Sequence, residues 1–260
     1  MELRLVSFNI QHRKGEHPDA LTQRMQACAA FVKSLKPDVV CLQEVTPDAY
    51  TVLQQNLQSV HQHYQPRKEN FTQAEGVPIF VMHPQLHCVR SGSFWFSTSP
   101  DISSKSWQAA HPRICSWMQL TRTDARDLWI FNLHLDHRSR RARRRSLQVL
   151  QDKIRQLTAP EDALLVCGDF NMSGTRKEIR RLAKKDPLLL DATRSHPIGF
   201  LRPTYLGWGP FQLAKARIDL CLHSTQLKVE DYHARDPEWE SKQISDHRAL
   251  ELTISEPPAV

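Results

Sequence analysis

No apolar run in the 260 residues approaches the ~18 needed to cross a bilayer as a helix, so no membrane span is expected. The opening Met-Glu-Leu-Arg-Leu lacks a basic stretch followed by an apolar core. No secretory signal is therefore expected, and a cytoplasmic location is, with a nuclear one open in a eukaryote. The six cysteines (Cys28, Cys41, Cys88, Cys115, Cys167 and Cys221) contain no Cys-x-x-Cys pair, which argues against a zinc ribbon or a redox motif. Cys41 in Val-Val-Cys-Leu, Cys167 in Leu-Leu-Val-Cys and Cys221 in Leu-Cys-Leu read instead as small buried residues of a reducing compartment. Linkers, internal repeats and low-complexity tracts are also missing. A single domain spanning 1–260 is expected, and a monomer is favoured.

What is present is an ordinary globular composition, 40% apolar and 24% charged. A chain of this length can bury a substantial core. The net charge of +7 is local. Residues 138–155 hold eight Lys/Arg against one acid, Asp152, and the rest of the chain carries 27 charges of each sign. A basic patch, rather than a basic protein, is what needs explaining.

Apolar periodicity alternates between strands and helices. Leu3–Asn9 reads as a strand. Leu21, Met25, Cys28, Val32 and Leu35 then mark one face of a helix over Pro18–Lys36, stopped by Pro37. Asp38–Gln43 is a buried strand, and Pro47 sits where a second helix begins. Pro78–Met82, Leu86–Ser97, Ile114–Arg122 and Leu128–His134 read as an antiparallel meander. A helix over Ser139–Leu157, a strand over Ala163–Phe170 and a short helix near Thr175–Lys185 follow. Strands at Arg217–His223, Leu227–Tyr232 and Arg248–Ile254 close the chain. Helices on both sides of largely antiparallel sheets predict a layered α+β sandwich.

The informative pattern is where polar residues fall. Asn9, Glu44, His134, Asp169 with Asn171, Asp219, and Asp246-His247 sit at ends or beginnings of apolar strands. Each alone reads as a turn former or cap; together they offer two His, two Asn, three Asp and a Glu. Residues two apart on a strand share a face, so Asp169 and Asn171 can serve one site while Phe170 packs inward. Asn132 and His134 likewise share a face. Glu44 joins them only if its strand frays just before it. Carboxylate and amide oxygens without thiolate suit a hard cation such as Mg²⁺ or Mn²⁺, and with two histidines they suit metal-assisted attack of water on a phosphoester.

Asn9, Leu-Gln-Glu44, Asn132-Leu-His134, Gly168-Asp169-Phe-Asn171, Arg217-Ile-Asp219 and Ser245-Asp246-His247 occur in that order. The set resembles the endonuclease/exonuclease/phosphatase superfamily from the first strand to the last. The resemblance implies a four-layer α/β/β/α sandwich and divalent-metal-dependent phosphoester cleavage. Glu44 would be the principal metal ligand, with Asn9 and Asp246 completing or orienting the site. Asp169 and Asn171 would position water and the scissile phosphate. Asp219 would orient His247, and either His247 or Asp169 would be the general base. His134 would contact the phosphate from the opposite side, oriented by Glu75. Asn-x-His at 132–134 resembles the deoxyribonuclease, sphingomyelinase and deadenylase branches rather than the abasic-site repair branch. The stretch Phe94–Pro100 with His111-Pro-Arg113 is similar to a bacterial-type subgroup of uncharacterised hydrolases.

Substrate contacts are less specified. Arg113 reads as a phosphate contact or as a surface arginine at a strand start, and Tyr205 and Trp208 as base-stacking rings or as loop plugs. Arg140, Arg143 and Arg144 belong to the basic run that opens the helix after His134. Cations there oppose both the helix dipole and each other, and an anionic partner would relieve both; a solvated face is the alternative, and the run also resembles a nuclear-localisation patch. The expectation is a Mg²⁺- or Mn²⁺-dependent phosphodiesterase, a nuclease acting on DNA or RNA in its sharpest form. A phosphomonoesterase or inositol/phospholipid-type hydrolase remains an alternative, and a non-catalytic nucleic-acid-binding module the remoter one.

Overall fold

The computed structural model describes residues 2–68, 73–122, 126–185, 188–194, 202–207 and 216–256. In chain order the elements are β1 (Leu3–Asn9), α1 (Pro18–Ser34), β2 (Val39–Gln43), α2 (Pro47–Leu57), β3 (His61–His63), β4 (Ile79–Val81), β5 (His87–Trp95), β6 (Ile114–Thr121) and β7 (Leu128–His134). They continue with α3 (Arg140–Leu157), β8 (Ala163–Asp169), α4 (Lys177–Leu182), β9 (Leu190–Asp191), β10 (Asp219–His223), β11 (Lys228–Arg235), β12 (Glu238–Trp239), β13 (Lys242–Gln243) and β14 (Ala249–Ser255). Helix starts carry their expected signals. Pro18 and Pro47 occupy first-turn positions, and the Thr46 and Ser139 hydroxyls accept from the Ala49 and Ala142 amides.

Two six-stranded sheets form, ordered β11-β14-β1-β2-β4-β3 and β5-β6-β7-β8-β10-β9. The period-2 alternation of each strand sorts its side chains into layers. In β1, Leu3 and Leu5 face the other sheet while Val6 and Phe8 pack under α1; in β8, Leu165 and Cys167 face inward while Leu164 and Val166 pack under α3. The result is the layered sandwich that periodicity predicts, in the four-layer α/β/β/α form that the resemblance implies. All six cysteines are free thiols, five of them buried. No helix among the described residues is long and apolar enough to cross a membrane.

Each sheet is antiparallel except for one central parallel pair, β1 with β2 and β7 with β8, and each such pair is joined by a helix, α1 or α3. Parallel neighbours end side by side. Asn9 lies opposite Gln43, and His134 lies opposite Asp169. The antiparallel neighbour β10 starts where β8 stops, with Asp219 opposite Asp169. This topology delivers four strand ends and one strand start to a single edge.

Toward that edge the layer between the sheets turns polar. Asn132 on β7 donates to the Leu42 and Pro78 carbonyls of the other sheet, each at 2.8 Å, and accepts from Gln43 Nε2 at 2.8 Å. Gln43 also donates to Ser7 Oγ at 3.2 Å. These fully buried bonds pin one sheet to the other directly beneath the strand ends. Within the second sheet, Gly168 permits the close approach of β8 to β7. Its φ is +133°, and a Cβ there would lie 2.0 Å from the Leu133 carbonyl oxygen on the adjacent strand.

Two expectations need correction. Pro78–Met82 does not join the meander; its strand, β4, pairs with β2 and β3 in the first sheet, and only β5, β6 and β7 are consecutive antiparallel neighbours in the second. The short strands β3, β9, β12 and β13 were not anticipated, because two or three residues carry no readable period. Replacing Asn132 with Ala should lose three cross-sheet bonds, two donated by its Nδ2 and one accepted from Gln43 Nε2, lowering unfolding free energy by about 3 kcal/mol in urea denaturation. An unchanged midpoint would remove the pin from the account.

Candidate active site

The polar strand ends line one cleft of about 390 Å³ together with Tyr205, Ile218 and a wall of cations. Glu44 reaches it by breaking the alternation. On strand geometry its side chain would follow Leu42 outward, but φ of +62° turns it toward the inter-sheet edge. Asn171, two residues past Asp169, likewise adopts φ of +48°. Asn tolerates this region more readily than Glu, so the strain at Glu44 marks a position held by its surroundings.

Those surroundings are explicit. Glu44 Oε1 accepts from Asn9 Nδ2 at 3.0 Å, and Oε2 accepts from the His12 amide at 2.7 Å. Asn9 Nδ2 also donates to Asp169 Oδ2 at 3.2 Å, while its Oδ1 is occupied by the Gln11 amide at 3.0 Å. Asn9 therefore orients two carboxylates, and its Oδ1 accepts one hydrogen bond. Asp169 Oδ1 accepts from the Asn171 amide at 2.7 Å. Asn171 Nδ2 donates to the Leu135 carbonyl and lies 3.1 Å from His134 Nε2. His247 Nδ1 donates to Asp219 Oδ2 at 2.8 Å, and its Nε2 points to Asp169 Oδ2 at 4.0 Å.

Glu44, His134 and Asp169 each offer one ligand atom, all within 4.8 Å of one another. Two carboxylate oxygens and one imidazole fit a hard or borderline divalent cation, so this cluster could hold one. Asp246 lines the same cleft but lies outside that closest group.

Burial sets the protonation states. Desolvation and then the Asp219 carboxylate lift Asp169 to about 7. Burial alone would push His247 down, but Asp219, through its charge and hydrogen bond, with Asp169 and Asp246, lifts it to about 10. His134 goes the other way: burial, then Arg113 and Arg67, hold it well below the ordinary imidazole range. The two histidines thus face Asp169 in opposite states, one cationic and one neutral. Burial also raises Asp246.

Glu75 does not orient His134. Its carboxylate accepts from Arg67 Nη1 at 2.5 Å and meets His12 Nδ1 at 3.1 Å, because the largely buried Arg67 guanidinium needs a counter-charge. The groups beside His134 are Asn171 and, at 3.5 Å, Asp169. Arg113 is buried rather than a surface arginine. It lines the cleft, bonds His137 Nδ1 at 3.0 Å and faces the buried Asp136 carboxylate with its Nε at 3.9 Å. Tyr205 lines the cleft with its ring 5.1 Å from that of His247. Trp208 lies outside the described residues.

The basic run does not line the cleft. Arg140 is exposed and bonds Glu178, Arg143 donates to the Asp136 carbonyl at 2.7 Å and holds the turn before α3, and Arg144 sits on the outer face. Sequence reasoning missed Arg67, His111 and His137 in the wall, and His12 behind it. The His111-Pro-Arg113 triplet was the one available signal; Arg67 stands among polar residues with no pattern around it.

The model of the Endonuclease/Exonuclease/phosphatase family matches residues 6–247. An endonuclease/exonuclease/phosphatase from Bacteroides vulgatus superposes with a TM-score of 0.85 at 23% identity, covering 99% of this chain and 100% of that one. The Bacteroides thetaiotaomicron mannosyl-6-phosphatase Bt3783 does so at 0.80 and 25%, covering 97% and 99%. TDP2 from D. rerio, complexed with a single-strand DNA product, does so at 0.78 and 17%, covering 98% and 99%. No curated protein sequence matches the chain.

The opposed histidine states are measurable. In the metal-free protein, His247 should stay protonated through neutral pH and titrate near 10 by NMR; in Asp219→Asn its pKa should fall. Because the folded value lies above the unfolded one, the stability this histidine contributes is complete below pH ~6.5 and is lost as pH rises toward 10. A wild-type titration near 6.5 would contradict the assignment.

Proposed function

Because the chain belongs to the endonuclease/exonuclease/phosphatase family, whose members hydrolyse phosphoesters, we propose that it is a Mg²⁺- or Mn²⁺-dependent phosphodiesterase whose reacting groups are those of the cleft. The observation that carries this reading is the juxtaposition of the Glu44–His134–Asp169 cluster with the Asp219–His247 pair around one carboxylate, Asp169.

A divalent cation held by Glu44 and its neighbours would polarise a phosphoryl oxygen and stabilise the leaving oxygen. The remaining steps fall to the chain. Asp169, buried and lifted toward neutrality, takes a proton from the attacking water. His247 is cationic, so it serves as a donor to the non-bridging oxygens as charge develops, and Asp219 keeps it charged and aimed. On this reading Asp169, rather than His247, is the base. His134, neutral, and the Asn171 amide hold the phosphoryl group from the other side. Arg113, in the cleft wall beside His137 and Asp136, adds a further anion contact.

A second reading has one observation of its own. Arg67 and Arg113 together form a wall able to meet a dianion, which fits a phosphomonoester such as a sugar phosphate; the likeness to a mannosyl-6-phosphatase at 25% identity points the same way. A non-catalytic module is disfavoured because every proton-transfer position keeps a competent side chain. The test is a panel of single- and double-stranded oligonucleotides, simple diesters, monoesters and inositol phosphates with Mg²⁺ or Mn²⁺. Diesters should turn over fastest, EDTA should abolish turnover, and Asp169→Asn should lower kcat by about 10³-fold. Preference for monoesters would move the assignment to the second reading, and wild-type rates in Asp169→Asn would defeat both.

A further inference from the structure

The cationic surface is larger than the run that marks it in sequence. Five exposed arginines lie between residues 138 and 145, and six exposed Lys/Arg lie between 176 and 185, on α4 and the turns flanking it. The two stretches follow β7 and β8, the parallel strands whose ends carry His134 and Asp169, so both begin at the cleft edge. Ile179 and Leu182 of α4 pack in the same apolar layer as Leu147 and Leu150 of α3, which brings the helices together. Like charges recur four residues apart at Arg140 and Arg144 in α3 and at Lys177 and Arg181 in α4, an arrangement that weakens each helix unless an anion sits on it, and Lys185 follows just beyond α4.

Between the helices runs a groove with a cavity of about 130 Å³, walled by Arg144 and Gln148 on one side and by Arg181 and Lys185 on the other. Its only acid, Glu178, is held by Arg140 at 3.1 Å through Oε1, while its Oε2 is buried without a hydrogen-bond partner. Gln151 also lines the groove. That side chain is 4% exposed, and its Nε2 donor has no hydrogen-bond partner. A buried donor without an acceptor is costly and calls for an oxygen, and the surrounding Arg144, Arg181 and Lys185 favour one that carries charge.

We propose that the α3–α4 groove is a second, non-catalytic site that binds the phosphate backbone of a single-stranded nucleic acid continuing out of the cleft. A single strand, being flexible, can bring a phosphate oxygen to the buried Gln151 donor, and the cavity of about 130 Å³ is sized for one such group. A lipid surface, being flat, would not bring an acceptor to Gln151, and the exposed large apolar residues among those described are Val60, Val89, Ile102 and Leu188, of which only Leu188 follows α4. The inference stands apart from the hydrolase reading, because binding is read without turnover.

The test uses the full chain in EDTA and a fluorescein-labelled single-stranded DNA of about 20 nucleotides. Anisotropy gives affinity as a function of NaCl. The triple variant Arg181→Gln/Lys184→Gln/Lys185→Gln should flatten the slope of log K against log salt by about 2, and weaken binding on the order of a hundredfold near 0.1 M salt. A variant that removes three cations elsewhere, Lys33→Gln/Lys36→Gln/Lys242→Gln, should retain the wild-type slope. The proposal is overturned by an unchanged slope in the first variant or by equal losses in both. It is also overturned by tighter binding to phosphatidylserine vesicles than to DNA with the same dependence on residues 181–185. Failure of the hydrolase reading would leave this result untouched.

Discussion

The structure depends on a single constraint: side chains two apart on a strand face the same way, so whatever continues an inward-facing apolar row must sit between the sheets. Leu3 and Leu5 lead to Ser7 and Asn9, Leu128 and Ile130 lead to Asn132 and His134, and Leu165 and Cys167 lead to Asp169. The site is therefore the polar end of the inter-sheet core. Rigid strands position it, and the Asn132–Gln43 bonds fix the separation of the two sheets just below it.

Burial then does the electrostatic work. Asp169 sits among Glu44, Asp219 and two histidines with almost no access to water, so its charge is regulated by neighbours rather than by solvent. The same burial gives opposite results at His134 and His247. Only His247 has a carboxylate hydrogen-bonded to it; His134 is faced by Arg67 and Arg113. One histidine poised to donate and one kept neutral, on either side of a carboxylate, is an arrangement suited to moving a proton from water to phosphate.

The sandwich and the order of the site residues were legible because long strands and helices carry period, and because the polar residues interrupt it at their ends. Interactions between chain segments far apart were not. Glu75 was matched to His134 by its place before a strand, yet its partners, His12 and Arg67, carry no mark in sequence. Likewise, the basic patch looked confined to one helix because the cations after residue 176 vanish into an even balance when the chain is counted end to end. Packing of α4 against the α3 layer is what joins them. Glu44 was legible only conditionally, since its entry to the site depends on a backbone turn at that residue.

The account's central claim is that the inter-sheet edge holds a divalent cation through Glu44, with Asn9 and the His12 amide fixing that carboxylate. Binding of Mn²⁺ to the metal-free protein, followed by electron paramagnetic resonance, tests it most directly. The wild-type protein should bind the ion, and Glu44→Gln, which keeps the shape and removes the charge, should weaken binding by more than about tenfold. Equal Mn²⁺ affinity in the two proteins would contradict the account.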